Sequence, residues 1–533
     1  MARSFAALFG GDTSVLAALV SGAAVECGLL TISNETAPLP ERAIAIASPL
    51  WLALAGHDSH WPGTTIGLGS MLPVPLPLSV LAAARRHALA LKDQSNRTLV
   101  LRSGSPAEAR SVACEIAAAL DRRPLFIETD KLAGVGPWLS LRGLVPVFCL
   151  QLAPGEIRSL PSLAGYQGPL LATCGPDGGI EAPHGTAASW TIPVAPQPER
   201  AALWQMSLGE TGLARELARD HRHGSGRIAH LARLAHHHAA LGGRTNPQRS
   251  DVISAAWTGE GSGLDALAEP LRSRVEDEAL VAAPELLASL ETLLARCRLR
   301  DDLTAGLGAS ATTRYRTGVR ALFTGPSGTG KTLAAGWIAT RLGLPLYRVD
   351  LAAVTSKYIG ETEKNLSQLL GRAEHAEVIL FFDEADSLFG KRTDITDSND
   401  RFANAQTNYL LQRIENYDGI VLLTSNSQAR FDAAFARRLD FVISFPAPRP
   451  EERRALWQSH LGADTDIAPA ALNQLAAHID FNGGHIRNVV LAAAVRARRD
   501  ARAIALPDLV ASIEIELQKL GRQMPVALKR SPR

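Results

Sequence analysis

Short apolar runs punctuate the second half of the chain, and each one stops at small or polar residues. Val319, Ala321, Leu322 and Phe323 lead into Gly325. Pro345–Asp350 leads into a polar loop, Val378–Phe382 ends in Asp383 and Glu384, and Ile420–Leu423 ends in Thr424, Ser425 and Asn426. Runs of this kind predict strands buried on both faces, the pattern of a parallel sheet covered by helices. Leu333–Leu342 reads as a helix between the first two strands, so the expected class is α/β with a three-layer parallel sheet.

The first of these strands opens onto Gly325-Pro326-Ser327-Gly328-Thr329-Gly330-Lys331-Thr332. Glycines let the backbone curl until consecutive N–H groups point inward at phosphates. The helix N-terminus behind them adds partial positive charge. Lys331 is spaced to reach the β- and γ-phosphates of a nucleotide, and the Thr332 hydroxyl to hold Mg2+. The carboxylates of Asp383 and Glu384 stand at a strand's C-terminal end, where open α/β sheets bind ligands. Asp383 suits the Mg2+ shell, Glu384 can orient or deprotonate a water, and the Asn426 amide could position the same water.

Residues from about 265 to 525 resemble the AAA+ ATPases, in the branch that includes katanin-like remodelers, with motifs in matching order and spacing. The resemblance implies a P-loop NTPase fold, ATP and Mg2+ as ligands, and ATP hydrolysis. It makes Gly325–Thr332 the Walker A loop, Asp383 and Glu384 the end of Walker B, and Asn426 sensor 1. It makes Arg437 and Arg438 candidate arginine fingers that reach a neighbour's γ-phosphate, and Arg487 in Gly483-Gly484-His485-Ile486-Arg487 a sensor 2 residue. Tyr358, Ile359 and Gly360 fall where the family grips an extended polypeptide in a central pore, and the polar stretch from Lys391 to Asn404 falls at a second pore loop. The implied assembly is a homo-oligomeric ring, a hexamer, acting on a protein substrate. The segments around Asp400, Tyr409–Arg413 and 435–440 also resemble ATPases found with bacterial contractile injection systems.

The first half echoes the second. Trp190–Val194 and the segment to Gln205 correspond to Phe441–Phe445 and the segment to Gln458, and Thr98–Leu101 mirrors the strand at Ala321–Phe323. This reading expects a second copy of the fold with its chemistry lost. Ala109 aligns with Lys331, and Pro106 and Glu108 replace glycines. Gln151 stands in the Walker B segment, Gly175 replaces Asn426, Ala188 lies in the finger segment and Ala229 at the sensor 2 position. The expected domains are a partial winged-helix-like α+β extension (1–65), a degenerate AAA+ domain with lid (66–240), a linker (241–264), an active AAA+ large subdomain (265–446), its helical lid (447–525) and a tail (526–533).

Composition narrows the function. A chain of 533 residues is long enough for two to four domains. Its net charge of +2, with no basic stripe, argues against a nucleic-acid motor or loader, which stays an alternative beside a slow, nucleotide-gated scaffold. Its five scattered cysteines suit a reducing cytoplasm, and no run is long enough for a membrane helix. His221, His223, His230, His236, His237 and His238 are joined by no cysteine or carboxylate that completes a ligand set, and read as a solvated helix face rather than a metal site.

Overall fold

The computed structural model describes residues 20–33, 42–69, 71–92, 98–153, 155–183, 187–258, 263–264, 266–313, 315–354, 361–386, 410–426, 437–463 and 465–525. The chain divides into two compact units, Met1–Val252 and Ile253–Arg533.

The first unit is built on a six-stranded sheet of β1 (Thr64–Ile66), β2 (Thr98–Arg102), β3 (Arg123–Ile127), β4 (Leu144–Cys149), β5 (Leu170–Cys174) and β6 (Ala187–Thr191). The order across the sheet is β6-β2-β5-β4-β3-β1. All neighbours run parallel except β1, which pairs antiparallel with β3 at the edge. Alternate residues face opposite sides of a strand, and both sides are filled. Leu99, Leu101, Phe126, Val145 and Leu171 pack beside helices α1 (Leu78–Lys92) and α2 (Pro106–Ala119). Val100, Leu125, Leu144 and Ala172 pack with Trp61 and with Trp138 of α3 (Val135–Arg142). Helices α4 (Gln197–Leu208), α5 (Thr211–Asp220) and α6 (Ser225–Leu241) complete the unit.

The second unit carries β7 (Ala268–Pro270), β8 (Val319–Thr324), β9 (Leu346–Val349), β10 (Ile379–Phe382), β11 (Ile420–Ser425) and β12 (Phe441–Ser444). Their order, β12-β8-β11-β10-β9-β7, repeats that of the first sheet strand for strand, with the same antiparallel edge. Phe323, Phe381 and Leu422 face α7 (Pro284–Arg298) and α8 (Lys331–Leu342), whereas Leu322, Phe382 and Leu423 face α9 (Glu361–Ala376). The lid helices α10 (Pro450–Leu461), α11 (Pro469–His478), α12 (Gly483–Arg499) and α13 (Leu506–Lys519) close around Trp457, which is fully buried.

One device recurs in both units. Arg200 on α4 donates Nη1 to the Ala195 carbonyl (2.7 Å) and Nη2 to that of Ala218 (2.8 Å). Arg453 on α10 donates Nη1 to the Pro448 carbonyl (2.8 Å) and Nε to that of Ala476 (2.7 Å). Each buried guanidinium ties its helix to the loop before it and to the helix after it, and each stands four residues before a fully buried tryptophan, Trp204 or Trp457.

Three expectations need correction. The boundary at 65 cuts through β1, and Leu50 and Trp61 belong to the apolar core under the first sheet. In the expected linker, Arg249–Trp257 is helical. His221 and His223 precede α6, are 2% exposed and stack on each other at 5.2 Å, with Trp204 at the edge of His223. They are therefore part of the packing and not of a solvated helix face, while His236 and His237 are exposed. Of the N-terminal extension, Thr31–Ser33 pairs antiparallel with Ala43–Ala45, and a helix follows at Ser48–Leu54. No described helix is long and apolar enough to cross a membrane.

Candidate active site

Strand β8 delivers its chain to the C-terminal edge of the sheet beside β11, and the backbone there needs glycine. Gly325 has φ +148°, and a Cβ on it would lie 2.0 Å from the Phe445 carbonyl oxygen. Gly328 (φ +79°) and Gly330 (φ +97°) also lie at positive φ, where side chains are disfavoured. Gly330 caps the start of α8, so Lys331 opens the helix. Lys331 is 8% exposed. Its ammonium donates to the carbonyls of Gly325 (2.6 Å) and Pro326 (2.9 Å) and to Asn426 Oδ1 (3.1 Å). Burial pushes the amine below the usual lysine range, opposed by Asp383, Asp386 and Glu384. The three carboxylates favour the charged form, so a cation is held where phosphate oxygens would be welcome.

The ends of β10 and β11 are laced together. Thr424 Oγ1 donates to Asp383 Oδ1 (2.6 Å) and accepts from the Glu384 N–H (3.0 Å). The Asp386 carboxylate accepts from Ser425 Oγ and from the Asn426 N–H (3.0 Å). Glu384 is held at φ +50°, a strained backbone for a residue with a side chain, and its side chain is exposed toward the cavity it lines.

The lid closes the other side. Asn482 Nδ2 donates to the Ser327 carbonyl (2.9 Å), and the Gly484 N–H donates to that of Gly328 (3.1 Å). The resulting cavity of about 360 Å3 is lined by the loop from Ser327 to Thr332, Asp383, Glu384, Asn426 and Arg487. Apolar residues line it too, Ala279–Ala283, Leu286, Leu333 and Leu456, together with His460. Burial, aided by Arg487, lowers the His460 pKa and favours its neutral form. The cavity thus combines a lysine and the N–H-rich loop with apolar walls, a combination that suits a nucleotide's phosphates and base. Thr332 and Asp383 give the hard oxygen donors that fit Mg2+.

Arg437 and Arg438 do not line this cavity. Both are exposed, and Arg438 Nε lies 3.3 Å from Glu415 Oε1. Tyr358, Ile359, Gly360 and the segment from Lys391 to Asn404 lie outside the described residues. The sequence reading missed the wall at Ala279–Ala283, whose only signal is a small apolar run ahead of Pro284. It also missed His460, which folding alone brings to the cavity, and Asn482, which it brings to the loop.

In the first unit the corresponding loop is shorter. Strand β2 ends at Arg102 and α2 starts at Pro106, capped by Ser105. Ala109, aligned in sequence with Lys331, therefore sits within the helix instead of opening it, and its side chain is buried. Gln151, Gly175, Ala188 and Ala229 carry no ionisable group, in contrast to the cluster around Lys331.

Residues 321–447 match the family described as "ATPase family associated with various cellular activities (AAA)", and residues 449–523 match the "Contractile injection system ATPase helical domain". An uncharacterized AAA family ATPase, y4kL, of Sinorhizobium fredii is 40% identical over 129 residues, 24% of this chain and 38% of that protein. The 26S proteasome regulatory subunit 10B homolog A of Arabidopsis thaliana is 32% identical over 192 residues, 34% of this chain and 48% of its own length. The proteasome-activating nucleotidase of Aeropyrum pernix is 31% identical over 207 residues, 36% and 49% respectively. The matched segments span about half or less of these relatives.

Proposed function

We infer that this chain, an AAA-family ATPase through residues 321–447 with a contractile-injection-system type of helical domain behind it, hydrolyses ATP to drive the remodelling or threading of a protein substrate. The observation that carries the reading is the convergence at one strand edge of Lys331 Nζ, the glycine loop, Asn426 and the laced pair Asp383 and Glu384. Lys331 binds the β- and γ-phosphates, and the N–H groups of Gly328–Thr332 cradle them. Thr332 and Asp383 would hold Mg2+, which would supply charge neutralisation. Glu384 takes the proton of the attacking water, and Asn426 orients that water. Arg487 reaches the nucleotide from the lid.

Arg437 and Arg438, exposed and outside the cavity, are read as serving a neighbouring subunit. This favours a homohexameric ring in which hydrolysis depends on assembly. The first unit is read as a degenerate copy that holds the ring without turning over nucleotide. Its support is the shared strand order, the paired Arg200 and Arg453 devices, and the missing ionisable residues. Substrate grip falls to Tyr358. The relatives named for the proteasome favour a protein substrate, and the helical-domain match favours one in a contractile injection system. The test is ATP turnover with and without candidate proteins. Stimulation by a protein, lost in Tyr358→Ala with basal turnover kept, supports threading. Stimulation by single-stranded DNA with a steep salt dependence would replace it with the nucleic-acid reading.

A further inference from the structure

The first unit's counterpart of the phosphate site is filled from within. Glu108 is 4% exposed, and its carboxylate lies between the short loop after β2 and the N-terminus of lid helix α6. Oε2 accepts from Ser103 Oγ at 2.6 Å, and Oε1 accepts from the Gly226 N–H at 3.4 Å. The same Ser103 hydroxyl receives the Ser105 N–H (3.0 Å), and Ser105 Oγ receives the Glu108 N–H (3.3 Å). The closure is tight. A Cβ on Gly226 would stand 2.1 Å from Ser105 Oγ, and one on Gly224 would stand 3.7 Å from Glu108 Oε1. Helix α6 has no side-chain cap of its own, so an anion from another helix meets its positive end. In the second unit the residue aligned with Glu108 is Gly330. There the lid N-terminus meets the loop through Asn482 Nδ2 on the Ser327 carbonyl and the Gly484 N–H on the Gly328 carbonyl, and a cavity stays open beside it.

We propose that Glu108 is a built-in substitute for a nucleotide phosphate, which locks the first unit's lid onto its sheet and makes that closure independent of nucleotide. A carboxylate carries the negative charge and acceptor oxygens that a phosphate would bring to two helix starts, and it cannot dissociate. The unit then keeps a nucleotide-bound-like shape throughout the cycle of the active site. This rests on the reading of the first unit as a degenerate copy.

Hydrogen exchange on the full chain tests it, following the peptide across residues 222–232 and, as a reference, the strand Leu99–Leu101. Glu108→Ala should speed exchange at 222–232 at least tenfold while the reference strand stays protected. Glu108→Gln, which keeps an acceptor but no charge, should fall between. Unchanged exchange at 222–232 in Glu108→Ala would overturn the lock. Should Glu108→Ala loosen both regions, Glu108→Gln decides: acceleration confined to 222–232 supports the lock, and any other pattern overturns it. Nucleotide stoichiometry of the wild-type chain is read separately with labelled ATP. Two sites per chain would sink the degenerate-copy reading itself, whereas one site with unaltered exchange removes only the lock.

Discussion

Thr424 is the perturbation that isolates geometry from chemistry. Its hydroxyl, on a residue 1% exposed, donates to Asp383 and accepts from the Glu384 N–H, yet it touches no part of the glycine loop. Thr424→Val keeps the shape and deletes both bonds. A hydrogen bond to a charged group contributes about 1.5–3 kcal/mol, and losing it frees Asp383 and relaxes the strained backbone at Glu384. If that energy holds the carboxylates in their reactive placement, kcat falls about 10- to 100-fold, at tenfold for every ~1.4 kcal/mol. KM for ATP should stay within about threefold, because the hydrogen bonds of Lys331 to Gly325, Pro326 and Asn426 do not involve Thr424. Steady-state turnover on the assembled protein measures both numbers, and Thr424→Ser, which keeps the hydroxyl, should restore most of kcat. A kcat for Thr424→Val within about twofold of wild type, with an unchanged melting temperature, would refute the positioning role.

Glu384→Gln should retain ATP but lose about 10²- to 10⁴-fold in turnover, the usual range for a general base, as seen in single-turnover and binding assays. Gly325→Ala should lower the thermal midpoint, since its methyl would meet the Phe445 carbonyl at 2.0 Å on a backbone at positive φ; a strain of about 1–3 kcal/mol predicts a drop of several degrees by calorimetry. Arg437→Ala and Arg438→Ala should each bind nucleotide normally, and at least one should lose turnover in the ring. Two variants with wild-type rates would remove the trans-acting arginine.

What the sequence could reveal was local. The glycine loop, Lys331 and the carboxylates after β10 are contiguous motifs whose chemistry follows from residue type and spacing, and the apolar runs before them are the strands of the second sheet. The stretch Thr424–Asn426 was visible as polar, but its lacing to Asp383 and Asp386 is a register effect between strands about 40 residues apart. The apolar wall at Ala279–Ala283 and the lid contact from Asn482 depend on packing between distant segments, which no periodicity encodes. His221 and His223 were misjudged for the same reason: only the fold places His223 against Trp204 and His221 against His223. The likeness of the segments around Trp204 and Trp457 was legible because both carry a buried arginine and a buried tryptophan at the same spacing. The shortened loop that lets Glu108 turn inward was not, because a gapless alignment hid the earlier start of α2.

The central claim is that one site per chain, the one around Lys331, handles ATP. Equilibrium binding of labelled ATP to the full chain, with Lys331→Ala beside it, measures this directly. One nucleotide per wild-type chain and none in the variant is the expected result. Two nucleotides per chain, or binding that survives Lys331→Ala, would contradict it.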